Sequence, residues 1–256
     1  MCGRRWDTDA LRAINRCANP LLDRLGDRRT SINAKKRNAD PSTPLGRIRG
    51  RGSGSPAAAC SSGQPFQRDS RTPNIGRRVD VSPPDSNGRA IGAVPLLSLS
   101  NLEVVELKRA IGKVELPYIP GLLAFREAPC LLEALSLLTT PPDFVLVDGH
   151  GLAHPRRFGL ACHLGVLTGL PTISCAKSPL VGTHDPPEQE RGACATLTEG
   201  GEVIGVALRT RESTRPVYVS IGHRVDLDAA VKWTLACCAG FRVPEPLRAA
   251  NRAARG

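Results

Sequence analysis

The segment Phe144-Val145-Leu146-Val147, closed by Asp148-Gly149-His150-Gly151, constrains the fold more than any other. Four apolar residues without alternation suit a strand buried on both faces, and such a strand needs a layer packed on each side. Thr172–Ala176 reads as a second buried strand. Upstream, Ala90–Val94 with Leu96–Leu99, and then Leu102–Leu107, read as two strands joined by a turn at Ser98-Leu99-Ser100-Asn101, with Pro95 removing one ladder hydrogen bond from the first. Ala128–Leu138 predicts a helix with Pro129 near its first turn and Pro141-Pro142 beyond its end. Arg157–Thr168 predicts another, stopped by Gly169 and Pro171. Glu202–Leu208 and Pro216–Ile221 predict paired strands around a polar loop, and Leu227–Ala239 a helix capped by Asp226 or Asp228 and ended by Gly240. Antiparallel strands followed by strand–helix–strand units imply an α/β fold with a mixed β-sheet flanked by helices.

The 256 residues divide near position 79. The net charge of +11 is confined to the first part: 17 of the 35 Lys and Arg but only 6 of the 24 Asp and Glu precede Asp80. The remainder is neutral, so the basic total says nothing about a groove there. No glutamate occurs before Glu103, and Arg, Ser, Pro and Gly crowd the same stretch. Residues 1–78 therefore read as a low-complexity basic extension, either disordered or translated out of frame, with residues 79–256 as the working domain. Nine cysteines without regular spacing or a C-x-x-C pair predict neither a disulfide framework nor a zinc ribbon. The start shows no apolar stretch of the signal-peptide kind, and no apolar run reaches the roughly 18 residues of a membrane span. The expected compartment is the cytoplasm.

Several residues are placed to carry chemistry. Asp148 follows the buried strand and precedes glycines that allow a sharp turn, a ligand position in open sheets, or else a turn aspartate. Asp80, in Val79-Asp80-Val81, is either an exposed strand residue or a second acid. Glu127 lies at the expected helix start, where a carboxylate also serves as a dipole partner. Together the three fit phosphodiester hydrolysis, in which carboxylates hold Mg²⁺ against a phosphate. Lys177, after Thr172–Ala176, is a surface lysine or a group that neutralises phosphate charge. His223 ends an apolar strand and is either structural or a polariser of water. His150 and His154 are spaced like a metal pair, but the glycines around His150 and Pro155 after His154 argue against a helix that would align them. In Pro117-Tyr118-Ile119-Pro120-Gly121, two prolines stiffen an apolar tip suited to wedging between base steps.

These motifs resemble the endonuclease V family. Pro117-Tyr118-Ile119-Pro120-Gly121, Phe125-Arg126-Glu127, Val147-Asp148-Gly149-His150-Gly151, His154-Pro155-Arg156-Arg157, Ala176-Lys177 and Gly222-His223-Arg224 agree with it in order, spacing and identity, from about Val79 to the C-terminus. The resemblance implies a ribonuclease H-like fold. It also implies DNA-repair hydrolysis of the second phosphodiester bond 3′ to deoxyinosine, dependent on Mg²⁺ or Mn²⁺ and leaving 3′-hydroxyl and 5′-phosphate ends. By motif match Asp80, Asp148 and Glu127 are the metal carboxylates, and Lys177 and His223 the accessory catalytic groups. The Pro117–Pro120 loop is the strand-separating wedge, and Gly121, Gly149 and His154 belong to the hypoxanthine pocket. The implied partner is inosine-containing DNA, with inosine in single-stranded RNA as a second substrate, acted on by a monomer away from membranes. Two departures stand out: Ile75-Gly76-Arg77-Arg78 replaces part of a longer apolar first strand, and Pro95 replaces an apolar strand residue. Curtailment of that strand by its arginines would leave an inosine-binding protein with impaired catalysis.

Overall fold

A computed structural model describes residues 74–75, 77–114 and 123–255 of the chain. Strands β1 (Asn74–Ile75), β2 (Arg77–Val81), β3 (Arg89–Ser98) and β4 (Val104–Lys113) come first, followed by helix α1 (Leu123–Ser136). Strand β5 (Val145–Val147), helix α2 (Leu160–Thr168) and strand β6 (Thr172–Ala176) form a strand–helix–strand unit. Then come β7 (Cys194–Glu199), β8 (Glu202–Leu208), β9 (Val217–His223), α3 (Leu227–Ala236) and α4 (Glu245–Arg255). The low-complexity segment falls outside the described residues apart from the backbone of β1 and the start of β2.

All the described strands join one mixed sheet in the order β1-β3-β2-β5-β6-β9-β8-β7, with β4 on the other side of β3. Strands β2, β5 and β6 are parallel to one another, and the remaining pairings are antiparallel. The expected continuity of β5 is explained by its two faces. Val145 and Val147 pack with α1 and α2 through Leu131, Leu135, Leu160 and Leu164. Phe144 and Leu146 pack on the opposite side with Ile173, Val206, Val219 and residues of α3 and α4. The fold is thus the expected ribonuclease H-like sheet covered by helices on both faces.

The two arginines do not shorten the first strand to Val79. Arg77 and Arg78 pair with Val145 and Leu146, so both arginines lie within β2, because backbone pairing with β5 does not depend on side-chain polarity. Pro95 does not interrupt β3 either. It pairs with Leu107 of β4 and lies between the part of β3 paired to β2 (Gly92, Ala93) and the part paired to β1 (Leu97, Ser98).

Helix α1 begins five residues before the expected Ala128, which puts Pro129 in its interior rather than its first turn. Proline there leaves the Phe125 carbonyl without its helical partner, a local cost that burial of Leu131, Ala134 and Leu135 offsets. Helix α2 starts at Leu160 rather than Arg157. Arg157 instead takes a positive φ of 53° and its guanidinium holds Glu199 at 2.6 Å and Glu202 at 2.8 Å. Helix α3 is capped by Asp226, which accepts from the Ala229 amide at 2.7 Å, and ends at Ala236, short of the expected Ala239. Of the described cysteines, Cys130, Cys162, Cys175, Cys237 and Cys238 are free and buried, and Cys194 is disulfide-bonded.

Because Leu146 is fully enclosed at the centre of the sheet, Leu146→Ala is expected to cost about 2–5 kcal/mol. Urea unfolding followed by circular dichroism would measure it, and a loss below about 1 kcal/mol would contradict the two-faced burial of β5.

Candidate active site

The parallel register of β2 and β5 sets the position of the two strand-end aspartates. Val79 pairs with Val147, and the next residue on each strand is an aspartate, Asp80 and Asp148. Their main chains therefore stand level across one strand spacing, about 4.8 Å. Asp80 is also tied to Ala93 of β3, which holds it from the other side. The next strand, β6, ends at Ala176, so Lys177 emerges at the same edge.

Asp148 and Lys177 meet there. The Lys177 Nζ donates to Asp148 Oδ2 at 2.7 Å, with the lysine side chain 50% exposed and the carboxylate 20% exposed. A half-solvated ion pair of this kind contributes little stability. It keeps a cation and an anion available at one edge of the sheet.

The chain after Asp148 turns back over the sheet. Gly149 has φ of +150°, where a side chain would be strained. Gly151 lies so close to β9 that a Cβ there would sit 2.0 Å from the Ile221 carbonyl oxygen. A buried pair of hydroxyls, unrecognised in the sequence, anchors this loop. Ser174 Oγ and Ser220 Oγ are 2.6 Å apart, and Ser220 Oγ accepts from the amides of Gly151 at 3.2 Å and Ala153 at 3.3 Å. The signal for it is serine at an inward position of two adjoining apolar strands, Thr172-Ile173-Ser174 and Val219-Ser220-Ile221, which becomes readable only when the strands are known to pair.

The loop histidines face different partners. His150 Nε2 donates to the Ser178 carbonyl at 3.1 Å, and burial pulls its pKa below the usual imidazole value against the opposing effects of that carbonyl and of Asp148. His154 is only 6% exposed, and its Nδ1 accepts from the Arg156 amide at 3.2 Å. The segment is not helical, so the i, i+4 spacing does not align the two rings.

The remaining expected site residues lie on other elements. Glu127 lies one turn inside α1, half-buried, rather than at the helix start, so it is not an N-terminal dipole partner. Its helix packs against β2, β3 and β4 and meets α2 through an edge-on contact of Phe125 with His163. His223 pairs with Thr172 at the beginning of β6, whereas Lys177 follows the end of that strand. The ladder thus separates their main chains by roughly 16 Å. The structure does not bring His223 to the Asp148–Lys177 edge; it packs His223 against Gly165 of α2, where an added Cβ would come within 2.2 Å. Pro117, Tyr118, Ile119, Pro120 and Gly121 lie outside the described residues, as does the side chain of Asp80. Among the described residues no group of three or more His, Cys, Asp or Glu forms a metal cluster.

A mixed sheet with aspartates ending two adjacent parallel strands and a lysine beside them is the ground plan of a ribonuclease H-like nuclease. Comparison with known proteins narrows the class. Residues 66–252 match the sequence profile of endonuclease V. Endonuclease V from Roseiflexus sp. (strain RS-1) is 55% identical over 166 residues, covering 65% of this chain and 75% of its own. The structure of endonuclease V from Streptomyces avermitilis aligns with a TM-score of 0.68 and 48% identity, covering 72% of this chain and 82% of its own. That of Ciona intestinalis endonuclease V, in complex with a 24mer DNA containing an inosine followed by a ribo-adenosine, aligns with a TM-score of 0.63 and 30% identity over 73% of this chain and 86% of its own. The chain belongs to the endonuclease V family and is a nuclease.

The close approach at Gly151 is a direct target. Gly151→Ala must push the loop off Ile221 and break its bonds to Ser220, at an expected cost of about 1–3 kcal/mol. A thermal melt that matches the parent would show that the loop is not held this way.

Proposed function

We propose that this chain is a DNA-repair endonuclease that hydrolyses the second phosphodiester bond on the 3′ side of deoxyinosine, using Mg²⁺ or Mn²⁺ and releasing 3′-hydroxyl and 5′-phosphate ends. The observation that carries the reading is the β2–β5 register, which levels Asp80 with Asp148, combined with the ion pair between Asp148 and Lys177. The donors suit a hard divalent cation: they are carboxylate oxygens, and the Asp148 carboxylate already attracts a cation, the Lys177 ammonium. Asp80, Asp148 and Glu127 would hold the ion. Bound there, it supplies positive charge that draws in the scissile phosphate and makes a nearby water more acidic.

The protein's own groups do the rest. Lys177 turns from Asp148 toward a non-bridging phosphate oxygen and neutralises charge as the phosphorus becomes five-coordinate. The turn at Gly149 and the anchored loop through His154 form one wall for a flipped hypoxanthine, while the Pro117–Pro120 loop fills the gap in the duplex. Inosine pairs weakly, so extruding it costs less than extruding a normal base, and this contributes to selectivity. His223, at the far end of the β6–β9 ladder and packed on α2, has no part in this step.

The substrate range is wider than deoxyribose alone on this reading. The Ciona relative was bound to an oligonucleotide with a ribo-adenosine after the inosine. The ribose beside the lesion in that complex supports extending the proposal to inosine in single-stranded RNA, which differs from DNA by its 2′-hydroxyl. The competing picture of an inosine binder disabled by a broken first strand is less favoured, because Arg77 and Arg78 pair in register with β5.

A duplex carrying a single deoxyinosine provides the test. Nicking is expected to require Mg²⁺ or Mn²⁺ and to stop with chelator. Asp148→Asn should lower kcat by at least about 100-fold with little effect on stability. Nicking that ignores chelator, or that proceeds equally on undamaged duplex, would sink the proposal.

A further inference from the structure

We infer that Arg242 is a positioning residue for Lys177, acting through the main chain at the end of β6. The inference rests on the role of Lys177 proposed above. Arg242 lies in Gly240-Phe241-Arg242-Val243-Pro244, between α3 and α4. Its Nε donates to the Arg215 carbonyl at 2.8 Å. One of its terminal nitrogens, Nη2, donates to the Lys177 carbonyl at 2.7 Å and to the Pro216 carbonyl at 2.9 Å. One guanidinium thus gathers the residue just past β6 and the two residues that lead into β9.

The chemistry suits arginine specifically. Its planar fork aims several donors in fixed directions, whereas a lysine ammonium is a single point on a flexible stem. Each bond is charge-assisted and correspondingly strong. The loop carrying Arg242 is itself held. Thr210, fully buried, donates its hydroxyl to the Arg242 carbonyl at 2.5 Å, and the Glu245 amide donates to the Cys237 carbonyl at 2.8 Å. Arg248 stacks on the Phe241 ring at 3.4 Å from its centroid.

Lys177 needs such support. The last ladder pair is Ala176 with Tyr218, so Lys177 stands one residue beyond the sheet, with its side chain half exposed. Its carbonyl is fixed by Arg242 and its ammonium is directed by Asp148. Placement errors near 1 Å cost roughly 100-fold in rate. Arg242 thereby sets where the lysine's charge meets the phosphate, without touching the substrate.

Steady-state nicking of a single-deoxyinosine duplex at saturating Mg²⁺ tests this with five proteins: the parent, Arg242→Ala, Arg242→Lys, Lys177→Ala and the double variant Lys177→Ala/Arg242→Ala. Arg242→Ala is expected to lower kcat by roughly 10- to 100-fold, with KM within about threefold. Arg242→Lys should recover part of that loss. In the Lys177→Ala background, Arg242→Ala should change kcat by less than about threefold, since both act at one point. Independent, multiplying losses in the double variant would overturn the inference, as would an Arg242→Ala enzyme altered in KM alone. If Lys177→Ala nicks at the parent rate, the proposed role of Lys177 fails and the inference with it. A sensitive Lys177 beside an indifferent Arg242 defeats only the inference. Should Arg242→Ala not fold, Arg242→Gln completes the same cycle.

Discussion

The parallel pairing of β2 with β5 is the constraint on which the rest of this molecule depends. A shift by one residue would move Asp80 out of level with Asp148, and it would also exchange the two faces of the strand. That second consequence fixes the register. Val145 and Val147 fit only the face covered by α1 and α2, and Phe144 and Leu146 only the face covered by α3 and α4. Apolar packing on both sides of a short strand therefore determines the alignment of two acids at its end. The same core that stabilises the domain sets the geometry of its chemistry.

Beyond that strand end, precision comes from polar contacts made by residues that never reach a substrate. Ser174 and Ser220 form a buried hydroxyl pair under the loop that follows Asp148, and the close approach at Gly151 brings the loop down onto it. Arg242 does comparable work where β6 gives way to Lys177. Both arrangements satisfy backbone groups beyond the strands: Ser220 Oγ accepts from the Gly151 and Ala153 amides, and the Arg242 guanidinium donates to the Lys177 and Pro216 carbonyls. A sheet edge held in this manner can present Asp148 and Lys177 to solvent, as a nucleic-acid substrate requires, while their main chains stay anchored.

The elements differed in how far they could be read from the chain. The β5 run, the end of β6 and the strand-mouth positions of Asp148 and Lys177 were legible, because continuous apolar runs and the residues that close them are local signals. Helix α4 was missed although its buried face, Ala249, Ala250, Ala253 and Ala254, recurs at helical spacing between arginines. Strand β7 was missed although Gly200-Gly201, both with positive φ, mark a two-residue hairpin turn to β8. The early start of α1 was hidden by Pro129, which ordinarily signals a first turn. His223 was grouped with Lys177 by motif match, and each ends a strand. Strands β6 and β9 run in opposite directions, so the two ends lie far apart.

The sequence by itself determined that this chain builds an α/β domain with a doubly buried strand ending in Asp148, and its motif order determined the family. Both are properties of local runs and spacings, which a linear string carries in full. Tertiary structure alone decided that Arg77 and Arg78 belong to β2 and that Asp148 forms an ion pair with Lys177. It also decided that His223 lies at the other end of the ladder and that Arg242 grips the backbone of Lys177. Those facts depend on strand direction, register and the closing of loops over long chain separations, which arise only when distant segments are packed against one another.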